Sequence, residues 1–157
     1  MFRIPVATAG RLSTMPRPKG GDWLDDEMVA LRTAGVDVLV SLQTHDERVE
    51  LGLLDEPAAA VRAGLEFLEF PIVDFGVPDR QEIEPFLAVL QTRLDAGRHV
   101  VVHCRGGVGR SSLVAAALLT RYGVRADDAW ALISEARGVR VPETAEQGEW
   151  LRCADGL

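Results

Sequence analysis

"VVVHCRGGVGRSSLVAAALL", residues Val100 to Leu119, sets a cysteine, three glycines and two arginines between a β-branched run and a run of helix formers. The residues before Cys104 read as a strand, and the nearly unbroken apolar residues after Arg110 read as a buried helix ending at Gly123. In a parallel sheet, ligands collect where strand carboxyl ends meet helix amino ends, and Cys104 to Arg110 falls at such a junction. Gly106, Gly107 and Gly109 are expected to free the backbone so that successive amides point into one concave nest. The helix dipole adds to that field, and Arg110 offers a fork of donors suited to an anion of phosphate size. The same field acts on Cys104, because a thiolate is also an anion. A fall in its pKa from about 8.5 to about 6 would make the thiolate the majority form at neutral pH.

Moving outward, Val36 to Leu42 and Leu65 to Ile72 are further strand candidates, rich in apolar residues on both faces. A helix with Asp22 as its N-cap carries Leu24, Met28 and Leu31 on one face and stops at Gly35. Thr44 to Glu47, THDE, reads as a helix start that also accounts for His45, and a further helix runs through Pro57 to Arg62. Asp79 and Glu82 open a helix with Ile83, Phe86, Leu90 and Leu94 inward, and two more helices span about Ala126 to Arg137 and Glu143 to Ala154. The N-terminal region through Lys19 to Gly21 reads as one short strand and an irregular loop. Strands alternating with helices give an α/β fold. The expected architecture is a mostly parallel sheet of four or five strands, helices on both faces, and an anion-binding loop after the last strand.

The 157 residues suit a single domain, 1–157. The formal charge of −7 argues against nucleic acid or an anionic membrane as the main partner. No apolar run is long enough to span a bilayer and the N-terminus does not read as a secretory signal, so the expected location is cytoplasmic. Two cysteines in a chain of this size need no disulfide to explain them, and Cys153 reads as a partly buried structural residue. His99 and His103 would lie about 13 Å apart on a regular strand, too far to share a metal, and no metal or other cofactor is expected. A nucleotide-binding loop would need a Gly-Lys-Ser/Thr end, which GVGRS lacks.

His103, Cys104, five residues, then Arg110 and Ser111 resemble the signature of the cysteine-based protein tyrosine phosphatase superfamily. That resemblance implies a phosphocysteine intermediate, with Ser111 bonding the sulfur as it leaves, His103 orienting the loop, and Arg105, Gly106, Gly107, Val108, Gly109 and Arg110 binding phosphate. It implies a phosphorylated protein or peptide as substrate. A general acid is then required, and FPIVDFGVPD offers Asp74 and Asp79. Asp74 is preferred, because Asp79 already caps a helix and Asp74 lies in a loop past a strand end. The same segment resembles the acid loop of small dual-specificity phosphatases, particularly the kinase-associated-phosphatase-like group.

Glu143 to Gln147, ETAEQ, resembles a segment that carries glutamine at both ends in the tyrosine-specific branch, where it positions the hydrolytic water. Gln147 keeps that role by resemblance, while Glu143 reads equally as a helix start. The loop interior has no lysine, unlike relatives that cleave phosphoinositides, and the chain has little room for the loop that deepens the pocket of tyrosine-specific relatives. The pocket is therefore expected to be shallow, open to phosphotyrosine and to phosphoserine or phosphothreonine. Arg17 and Lys19 read as a solvated turn rather than a substrate rim, and Trp23, Trp130 and Trp150 as packing residues. The rival readings are a catalytically silent phosphate-binding module and a sulfurtransferase- or arsenate-reductase-like enzyme.

Overall fold

Strand β5 (His99–His103) is buried along its whole length, and the computed structural model, which describes residues 1–155, is arranged around it. It pairs in parallel with β2 (Arg11–Met15) on one side and β3 (Val38–Ser41) on the other. Beyond β3 lies β4 (Glu66–Glu69), also parallel, and beyond β2 lies the antiparallel edge strand β1 (Phe2–Ile4). The sheet thus runs β1-β2-β5-β3-β4, mostly parallel and five-stranded. Its central strand carries the cysteine loop at its carboxyl end, with a neighbouring strand on each side to supply walls.

The sheet is covered on both faces, as the β-branched runs require. Val38, Val40, Val100 and Val102 join the core formed with α4 (Arg80–Asp95), α5 (Arg110–Arg121), α6 (Ala126–Arg137) and α7 (Ala145–Asp155). The alternate residues Leu39 and Val101 face α1 (Leu24–Thr33) and α3 (Glu56–Arg62). Helix α5 is buried from Arg110 through Leu119, because it lies between the sheet and the outer helices α6 and α7. A helix apolar on every side is stable only in such a position.

The N-terminal region departs from expectation by forming two strands instead of one. In RLSTM the polar Ser13 and Thr14 are as buried as Leu12, so the segment lacks the apolar run that marks a central strand. Asp22 does not cap α1. It lies within a 3-10 turn, Gly21–Trp23, and Trp23 is 63% exposed, with Lys19 Nζ 5.4 Å from its ring centroid. The cause is tertiary: Gly21 N donates to Gly52 O, fixing the approach to α1 against a distant turn. Trp130 is buried and Trp150 partly so, as packing residues should be. Among the described residues no helix is long and apolar enough to cross a membrane.

Candidate active site

The loop after β5 is shaped by contact with its neighbours. Gly107 alone of the three loop glycines adopts a left-handed conformation, φ 67°, and a Cβ there would stand 2.5 Å from the backbone of both Met15 and Pro16. No side chain fits that space. The expectation for the other two glycines needs correction: Gly109 is right-handed at φ −83°, as the N-cap of α5, and a Cβ at Gly106 would meet nothing. A Cβ at Gly109 would meet only the tip of the Glu143 side chain, whose Oε2 lies against it and can swing aside. Arg17 N donates to Arg105 O at 3.1 Å, stitching the loop to the chain after β2.

Beneath the loop sits a buried pair absent from the sequence reading. His103 Nε2 lies 2.5 Å from Glu56 Oε1 and both side chains are fully buried. Its Nδ1 lies 3.1 Å from Cys104 O, and because a carbonyl only accepts, Nδ1 must be the donor. The pair therefore shares one proton between Nε2 and Oε1, and the ring anchors the Cys104 carbonyl. Cys104 itself is 3% exposed, with Sγ 3.5 Å from Ser111 Oγ.

Arg110, the first residue of α5, is 1% exposed and gripped from three directions. Nη1 donates to Glu47 Oε2 and Ile72 O, each at 2.8 Å; Nη2 donates to Glu47 Oε1 at 2.7 Å and pairs with Asp74 Oδ1 at 3.0 Å. Nε has no hydrogen-bond partner among the described residues. Burial opposes the Arg110 charge, but the Glu47 pair, helped by Cys104 and Asp74, raises its pKa above the ordinary value. Burial would likewise raise the Glu47 carboxyl, yet hydrogen bonds from Arg110 and the Thr44 backbone hold it below the usual range.

Glu47 was legible only as the third residue of a capping box. That box is present at the start of α2 (His45–Glu50), where Thr44 Oγ1 accepts from Glu47 N and the Glu47 carboxylate accepts from Thr44 N. One carboxylate thus caps a helix and orients an arginine 63 positions away. The signal that could have found it is topological: α2 starts three residues past Leu42, whose N–H bonds His103 O at the root of the loop.

Asp74 projects from the opposite wall. Gly76 N donates to Val73 O at 2.8 Å, closing a turn in which Phe75 is left-handed at φ 63° and donates its N–H to Asp74 Oδ1. Behind the turn, Trp150 Nε1 donates to Pro78 O at 2.9 Å and Gln147 Nε2 to Gly76 O at 3.5 Å. Asp79 caps α4 through Glu82 N, as the sequence predicts, and does not line the cleft, whereas Asp74 does.

Cys104, Arg105, Arg110, Asp74, Phe75 and Glu143 open into one cleft of ≈ 400 Å³. A larger depression of ≈ 670 Å³ beside the β1–β2 connection has no cysteine or carboxylate in its walls, so the chemistry points to the smaller one. Arg105 is held by Glu50, Nη2 to Oε1 at 3.1 Å, and this hydrogen bond raises its pKa. Gln147 is fully buried and stands behind the cleft, its Oε1 accepting from Glu143 N at 3.2 Å. Helix α7 starts at Ala145 and is capped by Thr144, whose Oγ1 accepts from Gln147 N, so Glu143 is not the helix start and its carboxylate is free to face the loop. Arg17 turns toward Pro18 O and, like Lys19, does not line the cleft. Cys153 is exposed on α7 rather than partly buried, because it falls on the outer face of that helix.

Over 84 residues the chain is 30% identical to protein tyrosine phosphatase type IVA 2 of Mus musculus, covering 52% of this chain and 50% of that protein. Over 83 residues it is 35% identical to cyclin-dependent kinase inhibitor 3 of Homo sapiens, covering 52% of this chain and 39% of that protein. It thus spans about half or less of the length of these curated relatives. In three dimensions it matches a crystal structure of kinase associated phosphatase with serine at its catalytic site cysteine: TM-score 0.89, 22% identity, 99% of this chain and 93% of that one. Identity that low speaks for the fold alone. Residues 13–124, which carry the cysteine loop, Glu47 and Asp74 but not Glu143 or Gln147, match the DSP-PTPase phosphatase family of polymorphic toxin systems, and the chain belongs to that family.

Proposed function

We propose that this protein hydrolyses phosphomonoesters on phosphorylated proteins or peptides through a phosphocysteine intermediate, residues 1–157 acting as one catalytic unit. The observation that carries this reading is the convergence of Cys104, Arg110 and Asp74 on one cleft at the amino end of a buried helix. A phosphate seated there meets the loop amides, the α5 dipole and Arg110 Nε, and takes Nη2 as Asp74 turns away from it. Arg110 Nε, a buried donor without a partner, is the kind of group whose cost a phosphate oxygen removes.

In the first step the Cys104 thiolate forms an S–P bond, the P–O bond to the substrate breaks, and Asp74 as a carboxylic acid gives its proton to the leaving oxygen. In the second, water attacks phosphorus, Asp74 takes a proton from that water, and the S–P bond breaks. Ser111 Oγ, 3.5 Å from Sγ, is placed to donate a hydrogen bond to the departing thiolate. Gln147 reaches this chemistry only through the acid loop and Glu143, so it acts as a positioning residue. The shallow, open cleft supports acceptance of phosphoserine and phosphothreonine beside phosphotyrosine. A silent binding module would have no use for a nucleophile and an acid facing one another.

Hydrolysis of an aryl phosphate should survive excess chelator and be stopped by vanadate. Cys104→Ser should lose turnover by at least about 10⁴-fold while still binding vanadate or phosphate. Retained turnover in that variant would overturn the mechanism, and faster turnover of thiosulfate or arsenate than of aryl phosphate would favour the rival enzyme classes.

A further inference from the structure

An anion-binding cleft ordinarily concentrates positive charge. This one does not. Of the two guanidinium groups that face it, Arg110 is matched by both oxygens of Glu47, and Arg105 by Glu50. Two further carboxylates, Asp74 and Glu143, line the same cleft, and Asp74 leans only on the already matched Arg110. The basic residues of the adjoining wall give no relief, since the Arg17 guanidinium bonds Pro18 O and Lys19 sits over Trp23. On the outer side of Glu143, Arg140 and Arg152 line a separate groove. Arg152 is tied to Asp127 and Glu149, and Arg140 makes no ion pair with Glu143 among the described residues. Glu47, Asp74 and Glu50 are each in contact with an arginine, and Arg137 adds a further cation within reach of Cys104, so among the described residues Glu143 is the cleft carboxylate without an arginine contact, on a chain whose formal charge is −7.

From this arrangement we infer that Glu143 selects phosphorylated peptides with basic residues next to the phosphoryl group. The inference rests on the phosphatase reading and names its substrate class. Phosphate itself is held by groups that do not depend on this balance, the loop amides and one edge of Arg110. The residues flanking the phosphoryl group meet the carboxylates at the mouth. Lysine or arginine there pairs with Glu143, which is exposed and ion-paired to no cation among the described residues; glutamate or aspartate there is repelled. Glu143 lies outside residues 13–124, so this selectivity belongs to the chain's own C-terminal segment and not to the matched family core.

The test compares two phosphotyrosine peptides, identical except for lysines or glutamates flanking the phosphorylated residue, with an aryl phosphate that has no flanks. At low salt the protein should favour the lysine peptide by several-fold to about tenfold in kcat/KM, a preference fading at high salt because exposed pairs are weak and screened. Glu143→Gln should shrink that ratio and Glu143→Lys should invert it, while vanadate binding is retained in both. Vanadate carries no flanks and serves as the control for a folded site. Equal turnover of the two peptides by the unaltered protein, or a ratio indifferent to residue 143 in variants that still bind vanadate, would overturn the inference while leaving the phosphatase reading intact. Absence of aryl phosphate turnover by the unaltered protein would overturn both.

Discussion

Two residues in the loops that flank the cleft share one backbone conformation and little else. Gly107 in the cysteine loop sits at φ 67°, Phe75 in the acid loop at φ 63°. At Gly107 even a methyl group would strike the backbone of Met15 and Pro16, whereas Phe75 is 56% exposed. Glycine at 107 is thus demanded by packing as well as by dihedral preference, while the acid loop carries a strained residue because solvent leaves room for it. Such strain costs on the order of 1–2 kcal/mol and is offset here by the Val73–Gly76 turn and the anchors from Trp150 and Gln147. One wall is fixed by its neighbours on every side; the other hangs from a few hydrogen bonds. Under the proposed mechanism, that division would keep the phosphate seat preorganised and let Asp74 give way to an incoming substrate.

The largest break in this contrast comes from Gly107→Ala. Left-handed strain adds to a collision with main-chain atoms of β2 and its extension, so the amide nest has to open. Aryl phosphate turnover should fall by about 100-fold or more and vanadate affinity with it. Near-normal vanadate binding in this variant would mean that the loop is not pinned against β2. Asp74→Asn probes the other wall and leaves the seat alone. Turnover of substrates with poor leaving groups should drop by roughly 100- to 10,000-fold, and far less for an activated aryl ester whose oxygen needs no proton. Vanadate binding should survive, and a uniform loss across leaving groups would deny Asp74 the role of acid.

The same contrast explains what the sequence made legible. The strand, loop and buried helix from His99 to Arg121 could be read because local rules govern them: β-branched residues, then glycines, then an apolar run. Thr44 and Asp79 were readable as caps for the same reason, since a cap acts within three residues. What escaped depends on contacts far apart in sequence. β2 was hidden by Ser13 and Thr14, which are buried through pairing with a strand 88 residues away. Glu56 follows an ordinary Leu-Leu-Asp stretch, and only the fold brings it to His103, 47 residues on. Asp22 had every local mark of an N-cap and lost that role to a bond between Gly21 and Gly52. In the cleft, Cys104, Arg110 and Asp74 were visible as residue types. The carboxylates that balance the arginines were not, because ion pairing between distant segments leaves no periodicity.

The smallest expected effect is also the most discriminating. Phe75→Gly removes the Cβ that makes a left-handed residue costly, a gain of about 1 kcal/mol in the folded state, while the added freedom of glycine in the unfolded chain takes back about 0.5–1 kcal/mol. Little packing is lost, because the ring is more exposed than buried. Denaturant unfolding should therefore place Phe75→Gly within about 0.5 kcal/mol of the parent protein, beside a clear destabilisation for Gly107→Ala. Two substitutions at matching φ would then differ only because their surroundings differ. A loss of about 2 kcal/mol or more at Phe75 would show that the aromatic ring holds the acid loop in place, and the two walls would have to be regarded as equally fixed.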